Sequence, residues 1–322
     1  MTTSRADRNP PIEIGGQRIR AGERRRFDLP AAWLPTRTQL HLPLTVMHGL
    51  KPGPKLWVSA AVHGDELNGV EIIARLLEQL EGPLKCGTLI AVPIVNVFGF
   101  IQQSRYLPDR RDLNRSFPGS KRGSLASRIA HLFLTEIVRR CSHGIDLHTG
   151  SADRSNYPQV RGNLDDPETH RLAAAFHAPV MLRSLIRDGS MRGAATRLGI
   201  PVIVYEGGEA LRFNETAIQV GVRGVLGVMQ ELGLIRTRTS KKRRASVLLT
   251  SSAWIRARRG GLLRLAVDEG DSLEEGQSIG TIIDPFGEDP FVMKAPFKGL
   301  VIGKANNPVV HGGDAVVHLG RT

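Results

Sequence analysis

From Leu56 onward, short apolar runs alternate with stretches whose apolar residues recur at helical spacing, and this alternation constrains the fold more than any other feature of the chain. LWVSAAV, starting at Leu56, reads as a buried strand. The segment after it carries Val70, Ile73, Leu77 and Leu80 on one expected helical face. TLIAVPIV from Thr88 predicts the next strand, SLASRIAHLFLTEIVRR from Ser124 a helix, and GIDLH from Gly144 another strand. Pro167 stands at the favoured first position of a further helix. PVMLRS from Pro179 and PVIVYE from Pro201 are two more short strands separated by a helical segment, and a last helix runs from about Asn214 to Leu232. The expected class is α/β: a mostly parallel mixed sheet with helices on both faces, its functional groups gathered beyond the carboxyl ends of the strands.

A chain of 322 residues exceeds the usual single domain. The last helix runs into RTRTSKKRRAS, which has no apolar period and reads as a basic linker over residues 236–247. Beyond it the pattern changes to short apolar stretches broken by Gly260-Gly261, Gly270-Asp271, Gly276, Gly287, Gly299 and Gly312-Gly313, as closely spaced strands and tight turns require. The expected division is a catalytic domain over 1–244, with its core at about 50–235, and a small all-β domain over 245–322. IEIGG and LHLPLTV, near the start, read as strands without an assigned place.

The first residues, MTTSRADRNPP, lack the apolar centre of a signal peptide, and no stretch approaches the roughly 18 apolar residues of a membrane span. A cytoplasmic protein with no membrane partner is expected. Cys86 and Cys141 form neither a disulfide framework nor a cysteine metal motif and read as buried or partly buried thiols. The net charge is +13. Much of the basic excess lies in short runs such as Arg24-Arg25-Arg26 and Lys241-Lys242-Arg243-Arg244, outside any nucleic-acid-binding motif, so solvated segments are expected and no nucleic-acid partner.

His63-Gly64-Asp65-Glu66 lies between a predicted strand and a predicted helix, and on one helical turn its imidazole and carboxylate can converge on one ion. A catalytic zinc site uses three protein ligands and leaves a fourth position for water. His148, at the carboxyl end of the strand containing Ile145, Asp146 and Leu147, is the candidate third ligand. The pattern differs from the HExxH helix, where the glutamate is the base. His131, His143, His170, His177 and His311 have no carboxylate at ligand spacing and read as structural or solvated.

The ordered set VHGDE, Asn96, Arg105-Tyr106, DLNRSFPG from Asp112 to Gly119, Asp146-Leu147-His148 and Tyr205-Glu206-Gly207 resembles the succinylglutamate desuccinylase and aspartoacylase family, relatives of the zinc carboxypeptidases of the M14 type. The resemblance spans roughly residues 56–235. It implies a zinc carboxypeptidase-like fold, one Zn2+ per chain on His63, Glu66 and His148, and Glu206 as general base and acid. It further implies Arg105 polarising the scissile carbonyl, Asn114 and Arg115 binding a substrate carboxylate, and Asp112 supporting the first metal histidine. The chemistry asks for such groups: an amide resists water unless a metal acidifies the water, a base takes its proton, and a cation meets the oxyanion. Glu209 is the nearest competitor to Glu206 as base, and the Gly-Gly-Glu after Glu206 departs from the Gly-Pro that follows the aspartoacylase base.

The implied activity is hydrolysis of the amide of a small N-acyl amino acid. N-acetyl-diaminobutyrate deacetylation and peptide carboxypeptidase action are the alternatives, a basic binding protein with an inactive zinc site is a third, and a homo-oligomer is left open. The acyl group is expected to be read by loops such as 156–161. GGLLRLAVDEGDSLEEGQSIGTI and APFKGLVIG resemble the lipoyl and biotinyl hammerhead, with Lys294 expected to be unmodified because Ala295-Pro296 follows at once.

Overall fold

A computed structural model of the chain describes residues 8–151, 153–236 and 245–321. Near the start, β1 (Ile12–Ile14) and β2 (Gln17–Ile19) form a hairpin on Gly15-Gly16, both at positive φ as a tight two-residue turn demands. Two longer strands, β3 (Arg24–Trp33) and β4 (Gln39–His48), pair antiparallel. The segment LHLPLTV is thereby placed, since β4 adds antiparallel to the edge of the main sheet. The run Arg24-Arg25-Arg26 lies on β3, where Arg24 donates to the carbonyls of Leu77 and Leu80 and so closes the end of a helix.

The alternating segment follows as β5 (Lys51–Ala60), α1 (Asn68–Gln79), β6 (Cys86–Val92), α2 (Val97–Ile101), α3 (Leu125–Glu136), β7 (His143–Gly150) and β8 (Arg154–Gly162). It continues with α4 (Pro167–Phe176), β9 (Val180–Arg183), α5 (Met191–Thr196), β10 (Val202–Glu209) and α6 (Glu215–Glu231). The central order β10-β7-β5-β6 is parallel, β4 and β8 flank it antiparallel, and β9 adds parallel to β8, so the sheet is mixed around a parallel middle. Helices cover both faces. Leu56, Val58 and Ala60 of β5 pack with α1, α4 and α6, while Trp57 packs on the opposite side with α3 and α5. That two-sided burial is why LWVSAAV is apolar at every position but one, and each large side chain fully removed from water contributes about 1.5–3 kcal/mol.

Three expectations need correction. The deepest residues of α1 are Ile72, Ile73 and Leu76, with Val70 and Leu77 only partly covered, because α6 presents Gly221 and lets Ile72 sink against its backbone. Residues 156–161 are not a loop but the interior of β8. Pro158 is tolerated there because neither β10, β9 nor the strand on the other side pairs with it. Most of the expected linker lies outside the described residues, but Ser246 is held by the carbonyl of Ala178 and Val247 begins a strand.

The remaining strands are β11 (Val247–Leu249), β12 (Ser251–Arg256), β13 (Gly261–Leu265), β14 (Ser272–Leu273), β15 (Ser278–Ile283), β16 (Phe291–Lys294), β17 (Gly299–Ala305), β18 (Val309–Val310) and β19 (Ala315–Arg321). They enclose a core of their own, including Leu263, Ile279, Ile282, Val316, Val317 and Leu319. They are also tied to the central sheet, because β17 pairs with β8 and β11 with β9. Lys294 is paired opposite Ser278, within a ladder rather than at a hairpin tip. Cys86 is half-buried and Cys141 buried, both free thiols, and no helix among the described residues is long and apolar enough to cross a membrane.

Candidate active site

Period-two alternation gathers the site. On the α3/α5 side of the sheet, Ser59 of β5, Asp146 and His148 of β7, and Val204 and Glu206 of β10 stand in register, with Ser59 opposite Asp146, Val204 opposite Asp146 and Glu206 opposite His148. Their neighbours Ile145, Leu147, Ile203 and Tyr205 point into the opposite core. Polar groups thus reach the cavity from strands whose other face is apolar.

His63 and Glu66 lie in the turn after β5 and not on a helix, since α1 begins only at Asn68. The Glu66 N–H donates to the His63 carbonyl at 3.2 Å, closing the turn. Gly64 makes it possible: a Cβ there would lie 1.9 Å from the Gly99 carbonyl carbon and 2.1 Å from the Phe100 nitrogen. Gly64→Ala is therefore expected to cost about 1–3 kcal/mol of stability and to disturb the His63–Glu66 spacing. Denaturant unfolding checks it, and an unchanged midpoint would refute the contact.

The Nδ1 atoms of His63 and His148 each approach a different oxygen of Glu66 at 2.7 Å. All three side chains are buried, and their ligand atoms lie within 4.8 Å of one another. The outward Nε2 atoms are backed by carboxylates, His63 by Asp112 at 3.2 Å and His148 by Asp146 at 2.7 Å. Ser59 donates to Asp146 at 2.9 Å, and the Asn114 N–H to Asp112 at 2.8 Å. Burial opposes a charge on His63, but Glu66 and Asp112 outweigh it and raise its pKa; for His148, Asp146 and Glu66 do so more strongly. Burial likewise opposes ionisation of Glu66 and Asp112, yet the facing cations hold both below the usual carboxylate range. Such a field holds positive charge, and two inward imidazole nitrogens with one carboxylate, each ring oriented by an outer acid, fit a divalent metal ion.

Arg105 reaches the rim of this centre, donating to Glu66 at 3.3 Å and to Asp112 at 2.9 Å. Asn96 positions it, capping α2 through the Gly99 N–H while its amide nitrogen donates to the Arg105 carbonyl. Glu206 accepts from Asn156 at 2.5 Å and pairs with Arg161 at 3.2 Å, both on β8. After Glu206 the strand bulges at Gly208, whose φ is +73°, and Asn68 of α1 fixes the turn by donating to the Gly207 carbonyl. The bulge carries Glu209 away from the cavity, to Asn306 and Arg212. Asn114 uses its side-chain oxygen to accept the Met191 N–H, and Arg115 is exposed at the cavity rim, donating to the Asn114 carbonyl.

His63, Glu66, Arg105, Asn114, Arg115, His148 and Glu206 all line one cavity of about 640 Å³. Asp112 stands behind it, in contact with His63 and Arg105. Residues not anticipated from the sequence join them. Asp146 was legible, two residues before His148 and hence on the same strand face. Asn156 and Arg161 belong to the 156–161 segment expected to read the acyl group from a loop; they reach the cavity from β8 instead and hold Glu206. From the carboxy-terminal strands, Ser252, Trp254 and His318 complete the wall. His318 stacks on Trp254 at 4.5 Å, with the Arg154 guanidinium against the indole. Burial, then Arg161 and Arg187, push its pKa down to about 3 from 6.5. Between those two values the unfolded chain takes up a proton that the folded chain refuses, so stability should fall on acidification from pH 6.5 by an amount on the order of a few kcal/mol. His318→Gln should flatten that part of the stability–pH curve, and parallel curves would contradict it.

The residues 52–232 match the family model of the succinylglutamate desuccinylase/aspartoacylase catalytic domain. The chain belongs to this family. A deacetylase of N-α-acetyl-L-2,4-diaminobutyric acid from Halomonas elongata is 27% identical over 288 residues, covering 85% of this chain and 84% of that protein. The crystal structure of a succinylglutamate desuccinylase/aspartoacylase from Rhodobacter sphaeroides superposes with a TM-score of 0.82 at 27% identity, over 94% of this chain and 96% of that one. The product-bound ectoine utilization protein of Ruegeria pomeroyi shares the fold, with a TM-score of 0.84 at 24% identity over 97% of this chain and 98% of its own.

Proposed function

We propose that this family member is a zinc-dependent deacylase that hydrolyses the amide of a small N-acyl amino acid. The observation that carries the reading is the register of Glu206 beside His148, which sets an anchored carboxylate next to a metal-fitting triad in one arginine-lined cavity. Bound at His63, Glu66 and His148, a zinc ion would acidify water and polarise the scissile carbonyl.

The chain's own groups do the rest. Glu206 takes the proton of the attacking water and returns it to the leaving amine, its orientation held by Asn156 and Arg161. Arg105 offers its guanidinium to the oxyanion that develops at the carbonyl oxygen. Asn114 and Arg115 face the substrate carboxylate, and Asp112 and Asp146 keep the two imidazoles in the tautomer that turns Nδ1 inward. The likeness to the Halomonas deacetylase makes N-acetyl-2,4-diaminobutyrate the first compound to test, and the wall formed by the carboxy-terminal strands favours a small substrate over a peptide.

The test is amine release by zinc-loaded protein from N-acetyl-2,4-diaminobutyrate, from other N-acetyl and N-succinyl amino acids, and from an unblocked peptide. Turnover confined to N-acyl amino acids is expected. Release of the peptide's last residue without hydrolysis of any N-acyl amino acid would instead identify a carboxypeptidase.

A further inference from the structure

Arg192, the second residue of α5, is 9% exposed and lines the catalytic cavity. Its Nη2 donates to the Leu185 carbonyl at 2.5 Å and to the Ser184 hydroxyl at 3.2 Å. Its Nη1 is buried and has no hydrogen-bond partner. Among the described residues no carboxylate lies within ion-pair distance of it. An arginine withdrawn from water is costly unless paired, and losing one hydrogen bond to a charged donor is itself expensive. The surroundings add to the deficit. Arg161 and Arg187 face it and repel its charge, and Glu206, the acid whose field reaches it, is already engaged by Arg161.

The neighbouring backbone ties Arg192 to the Asn114–Arg115 segment. The Met191 N–H is bonded to the Asn114 side chain at 2.9 Å, and a Cβ on Gly189 would lie 2.5 Å from the Arg115 carbonyl oxygen. The turn that carries Arg192 is therefore seated directly on the Asn114–Arg115 segment. Arg115 is exposed and spends Nη1 on the Asn114 carbonyl, whereas Arg192 offers an unspent edge from the buried wall.

We infer that Arg192 is the buried anchor for the substrate carboxylate, its unpartnered Nη1 donating from the wall to the anion that Asn114 and Arg115 meet at the rim. A carboxylate suits it because Nη1 still has its N–H groups to donate to an anionic oxygen, and the pair would be desolvated and strong. The assignment of that carboxylate to an N-acyl amino acid rests on the deacylase reading; the anion site itself does not.

The experiment compares wild type, Arg192→Gln and Arg192→Lys, all zinc-loaded, on the best N-acyl amino acid substrate and on its carboxamide. Succinate binding is measured in parallel by calorimetry. Both variants should lose about 30-fold in kcat/KM on the carboxylate, mainly through KM, and less than about threefold on the carboxamide, because the lost hydrogen bonds are charge-assisted. Succinate affinity should weaken by about tenfold or more. A residue that merely holds the Ser184–Leu185 segment would depress both substrates alike. Equal losses on the two substrates, or unchanged succinate affinity in both variants, overturns the inference. If wild type hydrolyses neither substrate, the deacylase reading has failed by itself, and succinate affinity alone decides the role of Arg192.

Discussion

Replacing His148 by alanine is expected to strip the metal from the protein and to remove nearly all turnover with it. The ring supplies one of the three inward donors found among the described residues, and its Nε2 is already committed to Asp146. Loss of an outer-shell partner typically costs 10–100-fold in metal affinity, so loss of the ligand itself should exceed about 10²-fold. The fold should survive, because Ile145 and Leu147 keep β7 in the core. Asp146→Asn is the graded companion, expected to weaken the metal by roughly 10–100-fold without abolishing binding. Metal analysis after dialysis reads both, and full occupancy in His148→Ala would remove that residue from the ligand set.

Glu206→Gln should fail in a different way. The amide keeps the size of the side chain and its contact with Asn156 but cannot take a proton, so turnover should drop by at least ~10²-fold while the metal stays bound. Glu66→Gln, by contrast, takes the anion away from between two imidazoles, so metal affinity should fall and excess metal should restore part of the activity. Metal content and amine release for both variants decide between the roles. Near wild-type turnover in Glu206→Gln, or metal loss equal to that of Glu66→Gln, would end its assignment as base. Glu209 would then be a poor successor, since the bulge at Gly208 turns it toward Asn306.

The strand and helix order of the central sheet was legible because its strands read as short apolar runs, with polar residues only where they face the site, and each helix buries one face. His63, Glu66, Asp146 and His148 were reachable for the same reason: alternation and short turns fix which side chains share a face. The phase of α1 is not legible locally, because Gly221, more than 140 residues away, decides how deep Ile72 goes. Pro158 makes the β8 segment read as a loop, and no local rule announces that the partner on one edge changes from β17 to β9 across that proline. Asn156 and Arg161 are therefore expected near the acyl group but not as the residues that hold Glu206. His318 had no signal at all, since a single histidine in AVVHLG reads as a core position until β19 is seen to border the cavity. Nor does sequence spacing reveal an arginine such as Arg192 whose partner is missing. That is a property of packing.

The most direct measurement is amine release from an N-acyl amino acid by one preparation, assayed as purified, after chelation to near-zero metal, and after zinc is returned. A metal-dependent deacylase loses turnover in step with its metal and regains it with close to one zinc per chain. Undiminished turnover at near-zero metal would contradict the metal's role, and fully loaded protein that releases amine from no N-acyl amino acid would contradict the deacylase itself.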